Sequence, residues 1–274
     1  MKINQVTAVY YSATGNTREV VLAIGKQIAQ ALDVPFKECS YTLPASRKAH
    51  YHFSSSDLVL FATPVYAGRV PNKMLPFVES GFTGNGALAV PIVAFGNRSF
   101  DNGLIELRNL LEANGFHTIG AAAVVTGHAF SDAISPGRPD AADWQILNQF
   151  ALDVASKVQA LKEVPAAIFV PGDNPPLAYY TPLGVDGKPT VFLKAKPQTV
   201  AEWCDGCGIC VEACPMAAIS EEDPTQVPGT CIKCQACIKI CPTRAKYFDD
   251  EAFLSHVKML EQNYTARKEP QVFI

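Results

Sequence analysis

The chain has 274 residues, 48% of them hydrophobic, and a formal net charge of -3. That length suits about two domains with real cores, and so balanced a charge argues against a nucleic-acid partner or a polybasic membrane surface. Gly, Pro and charge break the apolar runs well short of the ~18 residues of a membrane span, and the N-terminus lacks a secretory pattern, so a cytoplasmic protein is expected.

Residues 5–11 are apolar on both faces and predict a buried strand. A hydroxyl-rich loop, SATGNT (12–17), follows, and then Val20, Val21, Ile24, Ile28 and Leu32 recur at helical spacing. VPFKEC predicts a second strand, and DLVLFATPVY, ALAVPIVAFG and HTIGAAAVVTG three more. PNKMLPFVES, DNGLIELRNLLEANG and residues 140–162 predict the helices between and after them. Strands alternating with helices imply right-handed crossovers and a doubly wound, five-stranded parallel α/β sheet. Ligands of such sheets sit beyond the carboxyl ends of the strands, which directs attention to loops 12–17, 63–71, 96–102 and 127–138.

The first of these loops has no lysine, so it is not a Walker loop built for a triphosphate. Ser12, Thr14, Asn16, Thr17 and the amides opening the helix suit either an ordinary helix cap or one fixed phosphate. From residue 164 the chain turns rich in proline and glycine, which predicts a connection in which VDGK turns a small hairpin with PTVFLKAK as its second arm. A helix is expected over 250–263, carrying Phe253, Val257 and Leu260, and the apolar end PQVFI is expected to dock on a surface.

Eight of the nine cysteines lie between residues 204 and 241, while Cys39 stands apart as a small buried hydrophobe. Cys204, Cys207, Cys210 and Cys214 followed by Pro215 have the spacing C-x2-C-x2-C-x3-C-P, and Cys231, Cys234, Cys237 and Cys241 followed by Pro242 repeat it 27 residues later. Such local, regular use favours metal over disulfides. Zinc stays as the alternative, although a tetrahedral zinc site has no use for the third and fourth cysteines of each run.

Over residues 199–249 the segment resembles a bacterial two-cluster ferredoxin. In that family the fourth cysteine of each run serves the other cluster. The resemblance therefore implies two [4Fe-4S] clusters, one on Cys204, Cys207, Cys210 and Cys241, the other on Cys231, Cys234, Cys237 and Cys214.

SATGNT between strand and helix in turn resembles the phosphate loop of flavodoxins, a likeness extending over about residues 3–162. It implies a flavodoxin-like fold binding FMN, with the phosphate on Ser12, Ala13, Thr14, Gly15, Asn16 and Thr17. It places Pro64, Val65, Tyr66, Ala67 and Gly68 on one side of the isoalloxazine and Gly96, Asn97, Arg98, Phe100 and Asp101 on the other. Arg98 is read either as a cation near the flavin or as a surface ion pair with Asp101, and Asp101 as the cap of the following helix. His128 is a candidate proton donor.

The expected organisation is a flavodoxin-like domain over 1–163, a connection over 164–198, a ferredoxin domain over 199–249 and a C-terminal helix and tail over 250–274. The whole resembles the fused flavo-iron-sulfur proteins of anaerobes. That implies an electron-transfer protein coupling one- and two-electron carriers between redox protein donor and acceptor, or alternatively an FMN-dependent reductase of a small-molecule acceptor.

Overall fold

The computed structural model describes residues 2–274. Its first part runs β1 (Gln5–Tyr10), α1 (Asn16–Leu32), β2 (Phe36–Ser40), β3 (Tyr51–His52), β4 (Asp57–Pro64), α2 (Leu75–Ser80), β5 (Phe82–Thr83), β6 (Leu88–Phe95), α3 (Gly103–Ala113), β7 (His117–Thr118), β8 (Ala121–Val125) and α4 (Ala141–Ala160). β9 (Gln198–Thr199), α5 (Ile209–Glu212), α6 (Ala236–Ile240), β10 (Lys246–Tyr247), α7 (Glu251–Asn263) and β11 (Gln271–Phe273) complete it.

β2, β1, β4, β6 and β8 lie side by side in that order, all parallel. This is the flavodoxin-like doubly wound order. β4 and β6 sit at its centre and read as near-continuous apolar runs because helices cover both faces. Val20, Ile24 and Ile28 of α1 pack with Leu147, Val154 and Val158 of α4 on one face. Leu104, Leu107 and Leu111 of α3 pack with Val78 of α2 and the rings of Tyr11, Tyr41 and Phe82 on the other.

Two features depart from the sequence-based expectation. HTIGAAAVVTG is not one strand: it breaks between β7, paired with Leu88 and Ala89, and β8, which resumes at Ile92. The interruption lies beside Pro91, which has no N–H to give a ladder. VDGK does form a tight turn, with Gly184 N donating to the Lys188 carbonyl at 2.9 Å, but the only pairing is a single bridge, Leu183 to Pro189. PTVFLKAK is therefore not a strand, and Pro189 at its start again removes a donor.

The last segment returns to the sheet, where β11 pairs antiparallel with β8. This covers an edge that would otherwise expose unpaired backbone. In the cysteine-bearing segment, β9 and β10 pair antiparallel, and α5 and α6 start 27 residues apart, so the sequence repeat is also a backbone repeat. No described helix is long and apolar enough to cross a membrane.

Candidate functional site

The two cysteine runs fold so that their members interleave. Cys204, Cys207, Cys210 and Cys241 line one cavity; Cys214, Cys231, Cys234 and Cys237 line another. Each cavity thus takes three cysteines from one run and the last of the other. Equivalent amides support the two crossing cysteines, Ala218 N to Cys214 Sγ and Ala245 N to Cys241 Sγ, both at 3.3 Å. The first cavity is the outer one, since Cys207 is exposed. In the inner cavity burial pushes the Cys234 and Cys237 thiols up to about 12. Four cysteine sulfurs around one space are a donor set that an iron–sulfur cluster or a zinc ion can use.

A larger cavity opens at the carboxyl ends of the strands, with about 1190 Å³ of empty space including its mouth. Ala13, Thr14, Asn16 and Thr17 line it at one end, where the chain leaves β1 and enters α1. Gly15 adopts φ +96° with open space around it, so backbone conformation, not crowding, calls for glycine. Asn16 Nδ2 donates to the Gly127 carbonyl at 2.8 Å and ties this loop to the one after β8.

Pro64, Val65, Tyr66, Ala67 and Gly68 supply a second wall, and Gly96 and Arg98 face them. Gly68 has φ +82°, and a Cβ there would stand 2.3 Å from Asp101 Oδ2. A Cβ on Gly96 would meet His128 Cδ2 at the same distance. Both glycines therefore allow the facing loops to close together.

Five of the residues expected here do not reach the cavity wall. Ser12 holds the loop from behind, its Oγ accepting from Arg18 N at 3.1 Å, and Gly15 shapes the turn. Asn97 is buried and turns away, Nδ2 donating to the carbonyls of Tyr264 at 2.6 Å and Ala266 at 2.9 Å. Phe100 packs into the core against Phe95, ring centroids 5.5 Å apart. Asp101 is not the helix cap: the N-cap of α3 is Asn102, while Asp101 forms an ion pair with Arg98. A positive φ of 39° turns Asp101 out of the extended geometry that a capping carboxylate uses.

The far wall comes from beyond the α/β unit and was not anticipated. Tyr180, Pro182 and Phe192 of the connection, His256 and Leu260 of α7, and Ile232, Lys233 and Cys234 all line the cavity. Tyr180 N donates to the Ala67 carbonyl at 2.8 Å and its ring lies 4.1 Å below the Arg98 guanidinium, so the connection clamps both loops. The YY pair within the proline- and glycine-rich connection and the histidine on the apolar stripe of α7, with Phe253 and Leu260, were the only traces in the sequence.

Burial holds both cavity histidines in their neutral form. His128 is lowered to about 4, by burial first and then by the nearby His256, Lys239 and Arg98. Its Nδ1 accepts from Phe130 N at 3.0 Å, which leaves the proton on Nε2. His256 is lowered too, again by burial, and its Nδ1 faces the Leu183 carbonyl at 2.8 Å and must donate to it. Cys39 is half-buried away from these cavities, where burial pushes its thiol up to about 11.

Fold and site define a class: a flavodoxin-like α/β unit fused to an iron–sulfur segment. Residues 203–246 match the family described as 4Fe-4S dicluster domain. No curated protein matches the chain. Similar solved structures include a flavodoxin from the domain Archaea, at 17% identity and a TM-score of 0.40, covering 57% of this chain and 99% of that one. The flavodoxin of Streptococcus pneumoniae TIGR4 is 20% identical, with a TM-score of 0.40, covering 56% and 99%. Rubredoxin oxygen:oxidoreductase from Desulfovibrio gigas is 15% identical, with a TM-score of 0.39, covering 58% and 37%.

Proposed function

We propose that the chain is an electron-transfer flavo-iron-sulfur protein, with FMN in the large cavity and a [4Fe-4S] cluster in each cysteine cavity. When bound, the clusters pass single electrons and FMN exchanges them singly or in pairs, so the assembly connects one- and two-electron partners. The observation that carries this reading is a shared wall: Ile232, Lys233 and Cys234 line both the inner cysteine cavity and the large one. Thr14 and Thr17, with the amides opening α1, suit a fixed phosphate, and the absence of a lysine there suits a cofactor that is anchored but not cleaved. Cys207, exposed at the outer cavity, marks the side where a redox protein exchanges electrons.

A second reading, reduction of a small-molecule acceptor, draws on neutral His128 in the cavity, whose free Nε2–H would donate a hydrogen bond to a bound acceptor. To test the first reading, the flavin is reduced by light and the clusters are followed by their visible absorption. Equilibration at a rate independent of protein concentration is expected. A rate proportional to concentration, or none, would overturn the shared-wall path. Turnover of a small acceptor without any protein partner would favour the second reading.

A further inference from the structure

Deepening the proposed function, on which it rests, we propose that Lys233 is the shared counter-ion of the inner cluster and the flavin. It acts as a positioning residue that raises both reduction potentials while leaving the outer cluster's unchanged. The backbone repeat first singles it out. Left-handed residues recur 27 positions apart: Gly206 and Lys233 at φ 73° and 56°, Gly208 and Gln235 at 74° and 68°, Ala217 and Arg244 at 45° and 57°. Where the first half uses Gly206, the second carries a lysine, although a residue with a Cβ costs ~1 kcal/mol or more in this conformation. Backbone geometry therefore does not call for a lysine at this position.

That side chain is buried, with the residue only 9% exposed. Nζ donates to the Leu193 carbonyl at 2.6 Å and the Cys231 carbonyl at 3.2 Å, so two of its three protons have partners. Among the described residues no carboxylate forms an ion pair with it, and Asp250 attracts it only from beyond ion-pair distance. A buried ammonium held only by carbonyls is an incomplete arrangement, because buried charge is normally matched by opposite charge. Four thiolates around a cluster supply that negative charge on one side of Lys233, and reduced flavin supplies it on the other.

The outer cavity repeats the device with a different residue. Lys246 lines it, is 4% exposed, and donates from Nζ only to Thr199 Oγ1 at 2.9 Å and the Pro224 carbonyl at 2.6 Å. Each cysteine cavity thus has its own buried ammonium, but only Lys233 also borders the large cavity. Reduction at either neighbour draws on the same positive charge, which ties the two potentials together.

Anaerobically purified wild type is first assayed for iron, sulfide and flavin, then titrated potentiometrically with the clusters followed by electron paramagnetic resonance and the flavin by absorbance. Cys241→Ala, which should retain only the inner cluster, tells the two cluster signals apart. Lys233→Gln should lower the reduced-to-oxidised ratio of the inner cluster at fixed potential on the order of tenfold, ~59 mV for a one-electron couple, lower the flavin couple as well, and spare the outer cluster. Lys246→Gln should move the outer cluster more than the inner one, because Lys246 acts on Cys210 and more weakly on Cys237, and should spare the flavin, while Lys233→Arg should return the inner cluster and flavin towards wild type. The proposal is overturned if Lys233→Gln leaves those two couples unchanged or moves the outer cluster equally, or if the Gln and Arg variants both lose the inner cluster. Wild type lacking clusters or flavin would instead refute the functional reading, before any variant is titrated.

Discussion

Thr17 is buried in the first turn of α1, and Thr14 stands beside it on the cavity wall. Hydrogen bonds to a charged phosphate contribute ~1.5–3 kcal/mol each, so replacing both threonines by valine should weaken FMN binding by on the order of 100-fold. Fluorescence titration of the flavin-stripped protein measures this, and unchanged iron content would confirm that the ferredoxin segment is intact. His128 makes a different prediction. Its folded value of about 4 lies below the usual histidine value, so between roughly pH 6.5 and pH 4 the unfolded chain binds the extra proton and the folded one does not. Stability should fall as pH falls through that window, by up to about 3 kcal/mol from this residue. Denaturant midpoints of wild type and His128→Phe compared across pH 4–7 should diverge there, with the variant showing the shallower slope.

Elements were legible in the sequence where one physical signal dominated. β4 and β6 announce themselves as continuous apolar runs, and α1 by its stripe. The break between β7 and β8 was not visible in its own residues, because its cause, Pro91, lies on the neighbouring strand. The end of the cavity between β1 and α1 could be located from hydroxyls between a strand and a helix, whereas Tyr180, Phe192 and His256 could not, since only folding brings them over the strand ends. The C-terminal segment was foreseen to dock, but not to hold the site together. Asn97 ties it to the loop after β6, and Arg138, which also pairs with the buried Asp143, donates to the Lys268 carbonyl at 2.7 Å. Asn97→Ala removes two hydrogen bonds and should lower the thermal midpoint by several degrees while increasing flavin loss on gel filtration. The cysteine runs predict an equally local effect. Although Cys241 belongs to the second run, Cys241→Ala should abolish the outer cluster and keep the inner one, leaving about four irons per chain.

At the scale of the whole molecule, the large cavity shares a wall with the inner cysteine cavity, and the two interleaved cysteine runs join the inner cavity to the outer one with its exposed Cys207. The connection and α7 close over the pocket with Tyr180, Phe192 and Leu260, so the loops of the α/β unit are not left open to solvent as a free-standing domain would leave them. On the proposed function, holding donor and acceptor sites in one chain would replace a diffusional encounter by a fixed contact. All of this depends on the cavities holding the groups assigned to them. The most direct measurement is the iron, acid-labile sulfide and flavin content of anaerobically purified protein. About eight irons, about eight sulfides and one FMN per chain are expected; stoichiometric zinc, or FAD or no flavin in place of FMN, would contradict the account.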